Sequence, residues 1–223
     1  MKPTQLFLVA AASTPLFTHV PAQASDFTYG YQNVNDANTD TYVVGLQNAR
    51  KYTEWQTPPA TYYGPSANDV QGLLTYRFDF SAPTDAISLK ATTQSFNFPS
   101  RGDYGYSSMW GSTDGASWRL IQDNPLPASS GPAVASNLFY NQALPASFLG
   151  ANSFWLQIRM FEHAANPDGQ PPATSWADAQ FSRYDTNRPG NLFQLDVTLA
   201  PEPGALTLVG LGLASVILRR RRD

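Results

Sequence analysis

Side chains that could perform acid–base or nucleophilic chemistry are few in this sequence. Between residues 25 and 200, His163 is the only histidine, and Glu54 and Glu162 are the only glutamates. A metal site built from several histidines is therefore excluded, and a serine hydrolase would have to use His163 as its base. A carboxylate-based hydrolase would need the two glutamates, or aspartates in their place. Glu162 and His163 could form an acid–base pair, but neighbouring residues on a strand point to opposite faces. We therefore expect His163 to be a loop or surface residue and the protein not to be an enzyme.

One short segment has oxygen-bearing side chains at the spacing of a calcium loop. Asp36, Asn38 and Asp40 occupy every second position, as the first ligands of such a loop do. The rest of an EF-hand loop is absent, since Thr41 stands where glycine belongs and Gln47 where the bidentate glutamate belongs. Two interpretations stay open: a calcium site that distant residues complete, and a hydrogen-bonded turn before a strand. No other cofactor is expected.

Aromatic residues cluster at several places where they could contact a sugar. The candidates are Tyr62, Tyr63, Tyr104, Tyr106, Trp110 and Trp176. Exposed aromatic side chains offer a large, rigid contact area at low entropic cost, which suits stacking on a sugar ring. Strands and sandwich cores are rich in the same residue types, so a purely structural role is the alternative.

The segment 112–118 predicts a tight turn between two strands. Asp114 and Gly115 lie between two β-type runs, which is a strong hairpin signal. Together with Ser112 and Trp118, the pattern resembles the hairpin of discoidin-like and other galactose-binding-like sandwiches, and the Asp-box of sialidase propellers. The resemblance implies that the aspartate bonds backbone N–H groups, that the glycine takes a positive φ and that Trp118 packs beneath. A propeller would repeat the motif, which occurs once, so the resemblance implies a sandwich.

The elements that must position these residues have the pattern of β-strands. Residues 72–80 place Leu74, Tyr76 and Phe78 on one face, the period-two alternation of a half-buried antiparallel strand. No stretch between 25 and 200 has a sustained helical period. With about eight strands and no helix between them, we expect an all-β antiparallel sandwich of the jelly-roll type. The other candidate strands are residues 40–45, 86–92, 104–112, 117–122, 153–161 and 191–199.

Composition limits the partners of this region. Residues 25–200 contain nine lysines and arginines against fifteen aspartates and glutamates, a net charge of −6. So few basic groups do not support binding to a phosphate backbone, and no nucleic-acid partner is expected. The chain has no cysteine, so an exported domain must be held by its core alone. The length is that of one domain.

The first 24 residues have the pattern of a signal peptide. Lys2 precedes a short apolar run at residues 6–12, and the tripeptide Ala22-Gln23-Ala24 has the small-x-small form of a cleavage site. We expect signal peptidase to cut after Ala24 and to leave Ser25 as the first residue of the exported chain.

The last 23 residues combine three elements in a fixed order. They are the tripeptide Pro201-Glu202-Pro203, an apolar run at 204–218, and the block Arg219, Arg220, Arg221 and Arg222. As a helix the apolar run would be about 22 Å long, which is short for a bilayer unless the arginines snorkel to its surface. By the positive-inside rule the arginines stay cytoplasmic, so residues 25–200 face outward.

This tail resembles the PEP-CTERM sorting tail of Gram-negative bacterial surface proteins. The resemblance covers residues 201–222 and implies recognition by an exosortase, a membrane transpeptidase-like enzyme, with processing near Pro201-Glu202-Pro203. It also implies a host that makes extracellular polysaccharide. The apolar helix would then anchor the chain in the membrane only transiently, before the protein reaches the cell surface or the extracellular matrix.

The sequence thus predicts three parts: a signal peptide at 1–24, a β-sandwich ectodomain at 25–200 and a sorting tail at 201–223. The favoured function is that of a non-enzymatic, exported surface or matrix protein associated with exopolysaccharide or biofilm. The first alternative is a carbohydrate-binding module, with or without calcium. The second is a hydrolase that acts through carboxylates.

Overall fold

The computed structural model describes residues 26–53, 61–98, 102–124, 134–163, 179–184 and 193–200. All of them fall within the compact unit Ala24–Glu202. The predicted cleavage site at Ala24, the tail with its predicted apolar helix, and Trp176 all lie outside the described residues. Within the described ranges, no helix has the length and apolar character needed to cross a membrane.

The described residues form twelve β-strands and one 3-10 turn, Ala146–Phe148, and every strand pair is antiparallel. The strands are β1 Phe27–Tyr31, β2 Val43–Gln47, β3 Ala49–Thr53, β4 Thr61–Pro65, β5 Gly72–Asp79, β6 Thr84–Phe98, β7 Asp103–Ser112, β8 Arg119–Asn124, β9 Val134–Ala143, β10 Ser153–His163, β11 Ala179–Tyr184 and β12 Phe193–Leu199.

The strands form two layers, as the sequence predicted. The front sheet has the order β2-β5-β10-β7-β8, and the back sheet has the order β3-β4-β11-β6-β9. Strand β12 pairs with the first half of β6 and carries β1 at its outer edge. The two sheets join where Asn97 and Phe98 of β6 pair with Tyr104 and Asp103 of β7. The all-β sandwich is therefore confirmed.

The expected count of about eight strands was too low. Strands β1, β3, β4, β9 and β11 had not been predicted. Strand β6 is also longer than the predicted run 86–92, because it continues through Thr93, Gln94 and Ser95, which are buried although they are polar. Because the side chains in the second half of this strand are polar, a search for alternating apolar residues does not detect that half.

The core lies between the inner faces of the two sheets. The Tyr76 ring of the front sheet stacks on the Phe193 ring of the back sheet, with 5.2 Å between centroids. The Tyr76 hydroxyl lies 2.8 Å from the Tyr31 hydroxyl, so these buried polar atoms satisfy each other. The fully or almost fully buried apolar residues on three of the strands are Leu74, Tyr76 and Phe78; Phe154, Leu156, Ile158 and Met160; and Phe193, Leu195, Val197 and Leu199.

The turn between β7 and β8 has the predicted hydrogen bonds. One carboxylate oxygen of Asp114 accepts from the N–H groups of Ser117 at 2.7 Å and Ala116 at 2.8 Å, and from the Ser112 hydroxyl. These bonds favour the charged form and hold the pKa of Asp114 well below its usual range. Gly115 takes a φ of +72°, as expected.

The tryptophan packed against this turn comes from a different strand. A Cβ atom added to Gly115 would lie 2.9 Å from Cε2 of Trp155, a residue of β10. The Ser153 hydroxyl donates to the Thr113 carbonyl at 2.9 Å, which links β10 to the turn again. Trp118, which was expected beneath the turn, is half-buried. The turn thus supports one end of the outer face of the front sheet.

Replacing Gly115 with alanine is expected to destabilise the fold by about 3 kcal/mol, from the positive φ and from overpacking against the Trp155 ring. Gly150 is the matched control, because its φ is +82° and a Cβ atom there would meet nothing within 4 Å. Alanine at position 150 should therefore cost only about 1–2 kcal/mol. Urea unfolding of both variants measures the difference, and equal losses would show that the Trp155 contact is unimportant.

Candidate functional site

The outer face of the front sheet carries a row of aromatic side chains, which we call the aromatic face. It consists of Tyr104, Tyr106, Trp110, Trp155 and Phe161. All five are half-buried. Strand alternation puts them there, because the residues between them point into the core. An outer sandwich face is normally polar, so five aromatic side chains on one outer face are unusual.

The aromatic face extends along most of the length of β7 and β10. Tyr106 is directly opposite Phe161 in the register, and the Phe161 ring centroid lies 6.1 Å from the centroids of both Tyr104 and Tyr106. Trp155 is six residues from Phe161 on the same strand, a distance of about 20 Å. The face is therefore long enough to contact several units of an extended polymer.

Two arginines lie on the tryptophans of this face. The guanidinium carbon of Arg159 is 4.1 Å from the ring centroid of Trp110, and that of Arg77 is 5.0 Å from the ring of Trp155. Both distances are within the range of cation–π attraction. The Nε of Arg77 also donates to Asp79 at 2.9 Å. The face thus presents guanidinium groups together with aromatic rings.

A hydrogen-bonded network across three strands fixes the Arg159–Trp110 pair. The Trp110 indole N–H donates to the Ser108 hydroxyl at 2.9 Å. The Nε of Arg159 donates to Oε1 of Gln157 at 2.8 Å, and Nε2 of Gln157 is 3.3 Å from the Thr75 hydroxyl. Each member restricts the rotamer of the next, so the guanidinium is held in place before any ligand arrives.

A histidine–carboxylate pair lies at the end of the aromatic face where β10 ends. Nδ1 of His163 is 2.5 Å from Oδ1 of Asp69, and the imidazole centroid is 4.9 Å from the Tyr104 ring. His163 is the last residue of β10 and is partly exposed, so it is a surface histidine on a strand rather than in a loop. Asp69 has a φ of +60° and its N–H donates to the Glu162 carbonyl.

The structure separates the predicted sugar-contacting residues into two groups. Tyr104 and Trp110 lie on the aromatic face. Tyr63 is 0% exposed and Tyr62 is 3% exposed, so both belong to buried parts of β4 and offer no surface for stacking. The Tyr62 ring stacks instead on Tyr52, with 5.2 Å between centroids. The adjacent pair of tyrosines looked like a platform in the sequence, but both of its rings are enclosed.

Sequence reasoning had missed three contributors to this face. Trp155, Phe161 and Arg159 lie on β10, where Phe154 and Trp155 are adjacent and both aromatic, so residue type alone did not distinguish the two faces of the strand. Phe154 is fully buried, whereas Trp155 points outward. The strict alternation from Phe154 to Met160 was the signal that could have assigned the outer face.

The predicted calcium ligands each have partners within the protein. The Asp36 carboxylate accepts from the N–H groups of Gln32 and Asn33 at 3.2 and 3.1 Å. Nδ2 of Asn38 donates to the Gly30 carbonyl at 3.1 Å. In the ranges that the structure describes, no three acidic or histidine side chains gather as a metal site. Calcium binding at Asp36, Asn38 and Asp40 stays a prediction.

Asp40 is held by two donors from the neighbouring strands. Lys51 donates to one carboxylate oxygen and the Tyr63 hydroxyl donates to the other, each at 2.6 Å. Burial acts to raise the pKa of Asp40, but these two bonds outweigh it and lower the pKa below its ordinary value of 3.8. Burial and the Asp40 carboxylate raise the pKa of Tyr63, which therefore stays protonated and remains a donor.

Replacing Asp40 with asparagine is expected to cost stability at neutral pH and progressively less in acid. The pKa of Asp40 is lower in the folded chain, so its contribution is present above the ordinary value of 3.8 and is lost as the pH falls through the folded value. Denaturant unfolding of both proteins from pH 7 to strong acid measures the difference. A stability difference that does not change with pH would contradict the assignment.

Comparison with solved structures gives distant neighbours. Caldicellulosiruptor saccharolyticus CBM27-1 in complex with mannohexaose matches 82% of this chain and 100% of its own, with 12% identity and a TM-score of 0.35. The infectious bursal disease virus Gt strain matches 86% of this chain, with 10% identity and a TM-score of 0.30, and this chain spans 42% of the matched one. At this level of similarity the neighbours assign no ligand and no partner.

Sequence comparison identifies the C-terminal segment alone. No curated protein matches the chain. The model of the PEP-CTERM protein-sorting motif matches residues 199–222, which confirms the resemblance found in the tail. Residues 199–222 therefore carry a protein-sorting motif, which indicates an exported protein.

Proposed function

We propose that this chain is a non-enzymatic protein of the bacterial cell surface or extracellular matrix, and that it binds polysaccharide there through the aromatic face. The proposal joins two of the predicted functions, the matrix protein and the carbohydrate-binding module. The sorting motif supports export, and the outer surface of the front sheet supports binding.

The observation that carries the proposal is the row of five aromatic side chains on an outer sheet face. Aromatic side chains are enriched where proteins bind partners, and these five are partly exposed on an outer face. The rings are spread over about 20 Å along two strands, and the polar groups of Arg159 and Gln157 lie between them. Flat apolar surfaces with interspersed polar groups match the sugar ring, which has apolar faces and polar edges.

The N-terminal segment and the sorting tail support a route of delivery. Signal peptidase cuts after Ala24, the apolar run holds the chain in the inner membrane of a Gram-negative host, and an exosortase then processes it near Pro201-Glu202-Pro203. The exported chain enters an exopolysaccharide or biofilm matrix. Mass spectrometry of the exported protein tests this route, with Ser25 expected as the first residue and an end close to residue 203. An intact C-terminal arginine block would contradict it.

Binding is tested with the protein purified from cells that export it. Affinity electrophoresis through gels that contain individual polysaccharides, among them the host's own extracellular polysaccharide, should show retardation by at least one polymer. The runs are made with calcium and with a chelator, so that a contribution of Asp36, Asn38 and Asp40 is seen separately. If no polymer retards the protein in either condition, the proposed function is wrong.

A further inference from the structure

One guanidinium group on the aromatic face is ordered but incompletely used. Arg159 donates from Nε to Gln157 and lies over the Trp110 ring. Its two terminal nitrogens, Nη1 and Nη2, have no hydrogen-bond partner among the residues that the structure describes. Arginine presents these two nitrogens as a fork that matches a carboxylate group. The unused fork is therefore an anion-binding group in a fixed position.

Among the described residues, no carboxylate forms an ion pair with this fork. Arg77, the other arginine of the face, is paired with Asp79. Asp123 of β8 lies opposite Ser108 in the register and is exposed, but within the described ranges no ion pair joins it to Arg159. At the far end, His163 is paired with Asp69. Among the residues that the structure describes, Arg159 therefore has no carboxylate partner.

Because Arg159 stacks on Trp110, one face of the indole ring is not available to a sugar. A guanidinium 4.1 Å from the ring centroid covers one face of the indole. A sugar that stacked on that face would first have to displace the arginine from its bond with Gln157. A ligand that bonds to the guanidinium itself keeps both contacts and adds a third.

We propose that the aromatic face binds polysaccharides that contain uronic acids, and that Arg159 receives the sugar carboxylate through Nη1 and Nη2. Trp110 and Gln157 are positioning residues for this contact, and the flanking rings contact the neighbouring sugars. The carboxylates of uronic acids are ionised at neutral pH, so the pair forms under ordinary conditions. This inference rests on the proposed function and names the substrate class of the same site.

The first test changes the ligand and leaves the protein intact. Polygalacturonate, alginate and hyaluronan are compared with the same polymers after reduction of their carboxyl groups. A sulfated polymer that contains no carboxyl groups is included. At least one carboxylated polymer should bind ten times more tightly than its reduced form and than the sulfated polymer. Equal binding of the reduced form, preference for sulfate, or binding of neutral polymers alone overturns the inference and leaves the proposed function standing. Binding of no polymer at all overturns both.

The second test changes the protein. Arg159→Met keeps a long side chain over Trp110 but removes the fork, and should weaken binding to the carboxylated polymer at least tenfold without changing binding to its reduced form. Arg159→Lys keeps the charge and should restore only part of the loss. Arg50→Met is the matched control, because Arg50 lies 4.4 Å from the ring of Tyr52 on the back sheet and should not affect binding. Loss of binding to both forms of the polymer would overturn the role of Arg159.

Discussion

Replacing Trp110 with alanine is expected to weaken polysaccharide binding about thirtyfold. Truncation of a central aromatic anchor costs about 2 kcal/mol or more, and each 1.4 kcal/mol is about tenfold in Kd. Trp110 lies on β7 within the aromatic face, and its ring supports the Arg159 guanidinium. Its loss frees the guanidinium, so that the contact between Arg159 and the sugar carboxylate weakens. Isothermal titration calorimetry with the polymer that binds best gives the change in Kd.

Phe139 provides the control for this prediction. It is 51% exposed and lies on β9 of the back sheet, away from the aromatic face. Phe139→Ala removes an exposed aromatic ring without touching the proposed site, so its Kd should equal that of the unchanged protein. Phe139→Ala should unfold at nearly the same temperature as the parent, and thermal unfolding of Trp110→Ala checks that this variant is folded at the temperature of the binding measurement. Unchanged binding by Trp110→Ala would exclude the aromatic face as the site.

Replacing Phe193 with alanine is expected to cost about 3–5 kcal/mol of folding free energy, the usual loss for a phenylalanine removed from a packed core. The Phe193 ring is 5.2 Å from both Tyr31 and Tyr76 and 5.8 Å from Phe181. It therefore contacts rings from three other strands in both sheets, which cannot all close over the cavity. For a domain of this size the midpoint of thermal unfolding should fall by roughly 10 °C or more.

The same substitution at the exposed position 139 separates burial from chemistry. Phe139→Ala removes as many atoms as Phe193→Ala, but it leaves no enclosed cavity and should change stability by less than about 0.5 kcal/mol. Thermal and denaturant unfolding of the two variants give the comparison. Similar losses at the two positions would show that Phe193 does not join the sheets as described.

The regular strands of the fold could be predicted from the sequence, because their two faces differ in polarity. Leu74, Tyr76 and Phe78 alternate with polar residues and are all fully buried. The second half of β6 could not be found in this way. Thr93, Gln94 and Ser95 are buried although they are polar, so the contrast between faces disappears. Burial there depends on neighbours that are distant in sequence.

The candidate site was predictable only in part for a related reason. Tyr104 and Trp110 were chosen by residue type, and the structure places both on one outer face. Tyr62 and Tyr63 were chosen by the same criterion and are buried. Residue type does not determine which side of a strand faces water when both sides are aromatic. The pairing of Arg159 with Trp110 is a cross-strand contact, and no spacing along the chain indicates it.

The position of β12 also determines when this molecule can finish folding. β12 lies between β1 and β6, so β1, the first described strand, can pair with the sheet only after β12, the last described strand, has been made. Just after β12, the backbone N–H of Ala200 donates to the Pro83 carbonyl at 2.7 Å. Contacts of such long sequence separation form late and slowly. The sorting motif begins at residue 199, the last residue of this strand. A chain that emerges N-terminus first therefore completes its sandwich only once the first residue of the sorting motif has been made.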